Sequence, residues 1–192
     1  MRLEKFDTSL SYKGLKTFDC ANEMINTFAR KSLKKRVKKH FSQAYVLLDK
    51  DIFVGFYTLD TFSISKDTFG NKDAQSGLPP IVPVIKLGML GVEKNMQGKG
   101  IGKRLLRDAM LKVAHISDVA GCTGIYLLAE IEAIAFYETL GFKQLKKDNP
   151  RPMFLSIQTI LESMNVTDCL MKSHVNKEGL LKPIGQVDKT KE

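Results

Sequence analysis

Between Leu90 and Leu106 the chain passes from the apolar Leu90-Gly91-Val92 through Glu93–Arg104 into a stretch of helical periodicity. No other segment limits the fold as tightly. A buried strand that turns through Gly98, Gly100 and Gly102 and opens a helix brings successive backbone N–H groups to one point. The positive end of the helix dipole lies there too, and Lys99, Lys103 and Arg104 add charge. Gln97–Gly102 can thus point successive N–H groups at one pyrophosphate, although three alternating glycines alone specify no particular ligand. A dinucleotide site needs G-x-G-x-x-G after the first strand, with an acid about 20 residues on. Here the glycines alternate, begin halfway along the chain, and have Asp118 beyond the helix. A phosphate loop of the Walker type needs Gly-Lys-Ser/Thr, but Gly102-Lys103 is followed by Arg104.

The rest of the pattern surrounds that turn with a sheet. Asn22–Phe41 has helical spacing, with Met24, Ile25, Phe28, Ala29, Leu33 and Val37 on one face. Ala44–Leu48 and Ile52–Phe62 read as strands joined by a hairpin turn at Asp49-Lys50-Asp51. Ser65–Pro80 reads as a loop, and Val84–Val92, apolar on both faces, as a central strand. Helices are expected at Gly100–Ile116 and Glu132–Leu140, and strands at Ile125–Ala129, Phe142–Leu145 and Met153–Ile157. The order predicts an α/β domain whose mixed sheet carries helices on both faces. That domain is expected over residues 1–164. Residues 165–192, poorer in apolar side chains, read as a polar and flexible extension.

Cys20, Cys122 and Cys169 are widely spaced and odd in number, which argues against a disulfide framework or a metal site. No apolar run approaches bilayer length and the first residues lack a signal peptide's apolar core, so the expectation is a cytoplasmic protein. The net charge of +9 is concentrated in Arg30, Lys31, Lys34, Lys35, Arg36, Lys38 and Lys39, with no acid between them. Such a field attracts polyanions, whether nucleic acid or the phosphates of a cofactor.

Gln97-x-x-Gly100-x-Gly102, following Leu90-Gly91-Val92, resembles the Q/R-x-x-G-x-G/A motif of the GNAT acetyltransferases. Phe136-Tyr137-Glu138-Thr139-Leu140-Gly141-Phe142 is similar to that superfamily's F-Y-x-x-x-G-F segment. Phe18–Asn22, Val54–Leu59, Leu78-Pro79-Pro80 and Pro152–Leu155 look like one branch, the GNAT toxins of toxin–antitoxin pairs. The likeness runs from about Phe18 to Ile157. Met89 stands where that branch has Arg, and Ala21 where it has Gly.

The resemblance implies a mostly antiparallel sheet of six to seven strands and direct transfer of acetyl from acetyl-CoA to an amine, without a metal. It assigns cofactor binding to Leu90, Gly91, Val92, Gln97, Gly98, Lys99, Gly100, Ile101, Gly102, Lys103 and Phe136. The N–H of Leu90 or Val92 would polarise the thioester carbonyl, and Tyr137 would protonate the departing thiolate. The acceptor it implies is the α-amino group of aminoacyl-tRNA, with Lys34, Lys35, Arg36, Lys38 and Lys39 on the tRNA phosphates. The other partners it implies are an antitoxin and a second copy of the chain. A small amine, a protein N-terminus, or a CoA-binding module without catalysis are the alternatives. His40 and His115 lie in no motif, and no general base stands out. An α-amino group titrates near pH 8, so water could take its proton.

Overall fold

The computed structural model describes residues 1–70 and 75–164. Within unit Met1–Ile160 the strands are β1 (Arg2–Lys5), β2 (Gln43–Asp49), β3 (Ile52–Ser65), β4 (Ile81–Val92), β5 (Gly124–Ala129), β6 (Lys143–Gln144) and β7 (Arg151–Ser156). They form one sheet in the order β1-β2-β3-β4-β5-β7-β6. The β4–β5 pair is parallel; the other neighbouring strands are antiparallel. The expected mixed sheet is present, with β4 at its centre. The Asp49–Ile52 turn holds Lys50 and Asp51 at φ 47° and 65°, the twist that a two-residue hairpin requires.

Successive side chains of β3 point to opposite faces. Phe56 packs with Phe18, Phe28 and Phe53 on one face, against α1 (Glu23–Thr27) and α2 (Leu33–Lys38). Tyr57 points the other way and its hydroxyl donates to Asp108 of α3 (Ile101–Ala120). Leu105, Leu106, Ala109 and Val113 lie buried along α3, and each such leucine contributes about 1.5–3 kcal/mol by leaving water. A fourth helix, α4 (Ile134–Glu138), follows β5.

Besides shifts of a few residues in the bounds of β3, β4 and α4, three elements differ from the sequence expectation. Strand β1 was not foreseen, since four residues with alternating charge carry little apolar signal. Helix α3 runs four residues past Ile116 to Ala120, ending at Gly121. The helix expected over Asn22–Phe41 contains a wide turn at Phe28–Ser32 that separates α1 from α2. That turn takes up an extra residue, so the buried positions fall at Asn26, Ala29, Leu33 and Val37. Met24, assigned to the apolar face, is consequently 56% exposed. The polar extension and Cys169 lie outside the described residues.

Candidate active site

Strands β4 and β5 pair only at Ile85–Ile125 and Lys86–Tyr126 among the described residues. Beyond Lys86, β4 stays on β3 while β5 stays on β7, so a cleft opens between them. The register shows which groups face it. The Glu93 N–H donates to the Val54 carbonyl at 2.8 Å, and the pairing continues as Val92–Gly55, Gly91–Phe56 and Leu90–Tyr57. Hydrogen bonds between antiparallel strands fall on alternate residues. Gly91 therefore bonds to β3 as Glu93 does, and Val92 and Leu90 turn their N–H and C=O groups into the cleft.

The β3–β4 register shifts between Tyr57 and Leu59. There the Met89 N–H donates to Thr58 Oγ1 at 3.0 Å. Met89 itself packs half-buried against the α1–α2 apolar cluster.

At the end of β4 the chain passes through a tight turn at Lys94–Met96 into the Gly loop. Gly98 and Gly100 adopt φ 73° and 76°, a left-handed conformation that side-chain-bearing residues rarely take. With the chain so bent, the N–H groups of Gly98 to Lys103 find no acceptor among the described residues. They lie at the start of α3, as an anion cradle requires.

The loop is anchored to the segment that precedes α1. The Lys94 N–H donates to the Asp19 carbonyl at 2.8 Å, and the Lys94 ammonium meets the Asp19 carboxylate at 2.8 Å. Lys94, the Ala21 N–H and Asn26 hold the Asp19 carboxyl well below the usual carboxylate range. Gln97 Nε2 donates to the carbonyls of both Cys20 and Val92 at 3.0 Å.

These groups surround a cavity of about 440 Å³. Ten of the eleven residues assigned to the cofactor line it: Leu90, Gly91, Val92, Gln97, Gly98, Gly100, Ile101, Gly102, Lys103 and Phe136. Lys99 does not, because its ammonium folds back onto the Asn95 carbonyl at 3.0 Å. Gln97 lines the wall with its donors already engaged, its N–H going to the Lys94 carbonyl. It holds the turn rather than offering a free donor. Cys20, Asn22, Ile25 and Ala133 also line the cavity, and the sequence reading gave them no role. The available signal was Asn22, a helix cap whose side chain accepts the Ile25 N–H at 3.1 Å.

Phe136 approaches Gly102 closely: a Cβ there would stand 3.4 Å from the Phe136 ring. Tyr137 lies behind Phe136, edge-on to it at 5.1 Å and to Phe142 at 5.4 Å. Tyr137 is 9% exposed and is not a lining residue; burial pushes its hydroxyl up to about 12. On the basic helix, Lys34, Lys35, Lys38 and Lys39 are exposed. Arg36 turns inward, bonding Ser42 Oγ at 3.1 Å and lying 3.8 Å from Asp60. His40 and His115 are exposed. No group of three or more metal-ligand side chains occurs among the described residues, and no helix there is long and apolar enough to cross a membrane.

The model of the acetyltransferase (GNAT) domain matches residues 40–144. A tRNA-acetylating toxin of Mycobacterium tuberculosis is 30% identical over 128 residues, which is 66% of this chain and 76% of that one. A bacterial toxin known from its crystal structure superposes with a TM-score of 0.81 at 34% identity, covering 85% of this chain and 94% of that one. AtaT, solved in complex with acetyl-methionyl-tRNAfMet, gives a TM-score of 0.77 at 26% identity over 85% of this chain and 98% of its own. A mutant of AtaT has also been solved bound to the C-terminus of the antitoxin AtaR. On its strand-and-loop geometry and on these matches, the chain belongs to the GNAT family and is an acetyltransferase.

Proposed function

We propose that the chain transfers acetyl from acetyl-CoA to the α-amino group of aminoacyl-tRNA, and so acts as a toxin on translation. The observation that carries this reading is the cleft where β4 leaves β5, with the unpaired N–H groups of Gly98–Lys103 on its wall; the lysine-rich α2 adds an exposed basic surface. Acetyl-CoA supplies the acetyl thioester. The N–H groups from Gly98 to Lys103 hold its pyrophosphate, and Phe136 with Ile101 packs along the pantetheine arm. Leu90 and Val92 direct their N–H groups at the thioester oxygen, where charge develops during attack. Tyr137, protonated throughout the physiological range, gives its proton to the departing thiolate.

Lys34, Lys35, Lys38 and Lys39 follow the acceptor-stem phosphates. Arg36 holds Ser42 and faces Asp60, so it contributes less to that contact. The similarity to toxins that acetylate tRNA, and to one solved with acetylated methionyl-tRNA, supports the acceptor. A cognate antitoxin is the second partner that this reading implies.

The test is transfer of labelled acetyl from acetyl-CoA to a charged tRNA pool, with deacylated tRNA beside it. Label on charged tRNA alone is the expected result. Label on neither, with small amines or peptide N-termini acetylated instead, overturns the acceptor assignment and leaves the acetyltransferase in place.

A further inference from the structure

One acid lies on β3 beside the point where β4 and β5 part. Asp60 of β3 pairs with Lys86 of β4, the last residue of β4 that still pairs with β5. Its side chain lies against the β4 backbone: a Cβ at Gly88 would stand 2.9 Å from Asp60 Oδ2 and 2.8 Å from Thr58 Oγ1. Gly88 lets the carboxylate lie directly against the β4 backbone. Gly88 precedes Leu90 by two residues, roughly 7 Å along a strand, and the Leu90 N–H faces the cleft. The carboxylate therefore lies beside β4, two residues before the one whose N–H faces the cleft.

The carboxylate is also under-bonded. Asp60 Oδ1 is buried with no hydrogen-bond partner among the described residues, and the nearest cation, Arg36 Nη2, stands 3.8 Å from Oδ2. Buried acceptors of this kind are normally satisfied by protein groups or by water, and Oδ1 is open to an incoming donor. The surface beside it suits the remainder of an aminoacyl group. On the same face, Phe62 and Leu128 are each 44% exposed, and Phe62 stacks on Tyr126 at 5.7 Å. Lys86 Nζ lies 5.2 Å over the Phe62 ring.

We propose that Asp60 binds the acceptor's ammonium group and takes its proton, with Phe62 and Leu128 receiving an apolar aminoacyl side chain. The inference rests on the α-amine acceptor proposed above. In the step, one N–H bond of the ammonium breaks and its proton goes to Asp60. The freed lone pair forms the N–C bond to the thioester carbonyl carbon. As the C–S bond breaks, its electron pair leaves on sulfur, which takes a proton from Tyr137. The second proton lost from nitrogen restores Tyr137 through solvent, and the one on Asp60 is released, so one proton is produced per acetyl transferred.

The charged and titratable groups facing Asp60 are Arg36 from α2, Lys86 from β4, His40 from the α2–β2 link and Tyr45 from β2, with Tyr126 of β5 beyond Phe62. The experiment is the pH profile of kcat/KM for the full chain and for Asp60→Asn, using aminoacyl-tRNA and an amino-acid amide as parallel acceptors. Where the amine is mostly protonated, at about pH 6.5, Asp60→Asn is expected to lose about 100-fold. By about pH 8.5, where the amine is mostly neutral, the deficit shrinks to less than about tenfold. Acetyl-CoA affinity and Tm stay unchanged. Asp60→Ser, smaller than aspartate, reads out the same comparison should the amide crowd Gly88. A loss of equal size at every pH, or one below about threefold at pH 6.5, overturns the role of Asp60. Silence on tRNA with turnover of the amide overturns the proposed acceptor instead, and the amide profile still decides on Asp60.

Discussion

Tyr137 is the proton donor of the proposed reaction, and its surroundings set when it can act. Closed in by Phe136 and Phe142, its hydroxyl titrates at about 12 rather than 10. The neutral, donating form therefore persists below about pH 12, and activity is expected to show no alkaline loss from this group between pH 7 and 10. Tyr137→Phe keeps both ring contacts and lowers kcat by about 10²-fold or more, with acetyl-CoA affinity and Tm held. Single-turnover rates beside equilibrium binding check this, and an equal rate in the variant contradicts it. At this scale the site was largely legible, since Gln97, Gly100, Gly102 and Phe136 form motifs whose residue types follow from what they touch. Gln97 shows the limit. Its position was readable, but two carbonyls as its partners were not, because Cys20 lies 77 residues away in the chain. Asp60 was silent for the same reason: its neighbours come from β4 and α2.

Among the elements, α3 is tied to the sheet by more than its apolar stripe. Tyr57 donates to Asp108, Lys112 bonds Asp108 at 3.0 Å, and the same ammonium lies 4.3 Å over Tyr45. Asp108→Ala leaves the buried Tyr57 hydroxyl without its acceptor, and is expected to cost about 1–3 kcal/mol in chemical denaturation. An unchanged midpoint would show that the bond contributes nothing. Element order and the central place of β4 followed from periodicity and apolar runs. The wide turn at Phe28–Ser32 did not, although a trace is visible in hindsight. Ile25, Ala29, Leu33 and Val37 recur at a spacing of four, slightly longer than an ordinary helix allows. Strand β1 is held by pairing with β2 and by few apolar side chains, so no local pattern announced it.

For the whole molecule, the net charge of +9 is a statement about partners rather than about fold. On the proposed acceptor, the exposed lysines of α2 are expected to make binding salt-dependent. Lys34→Glu, Lys35→Glu and Lys38→Glu together are expected to raise the KM for charged tRNA by at least tenfold and to flatten its dependence on salt. The KM for acetyl-CoA, held at the Gly loop, should change little. Equal salt slopes in wild type and variant would remove α2 from the tRNA contact.

The most direct measurement is the site of acetylation on the product. After incubation with acetyl-CoA and charged tRNA, nuclease digestion followed by mass spectrometry is predicted to find one acetyl group on the α-amino nitrogen of the aminoacyl-adenosine. An acetyl group on a nucleobase, or unmodified aminoacyl-adenosine from an enzyme that binds acetyl-CoA, would contradict the account.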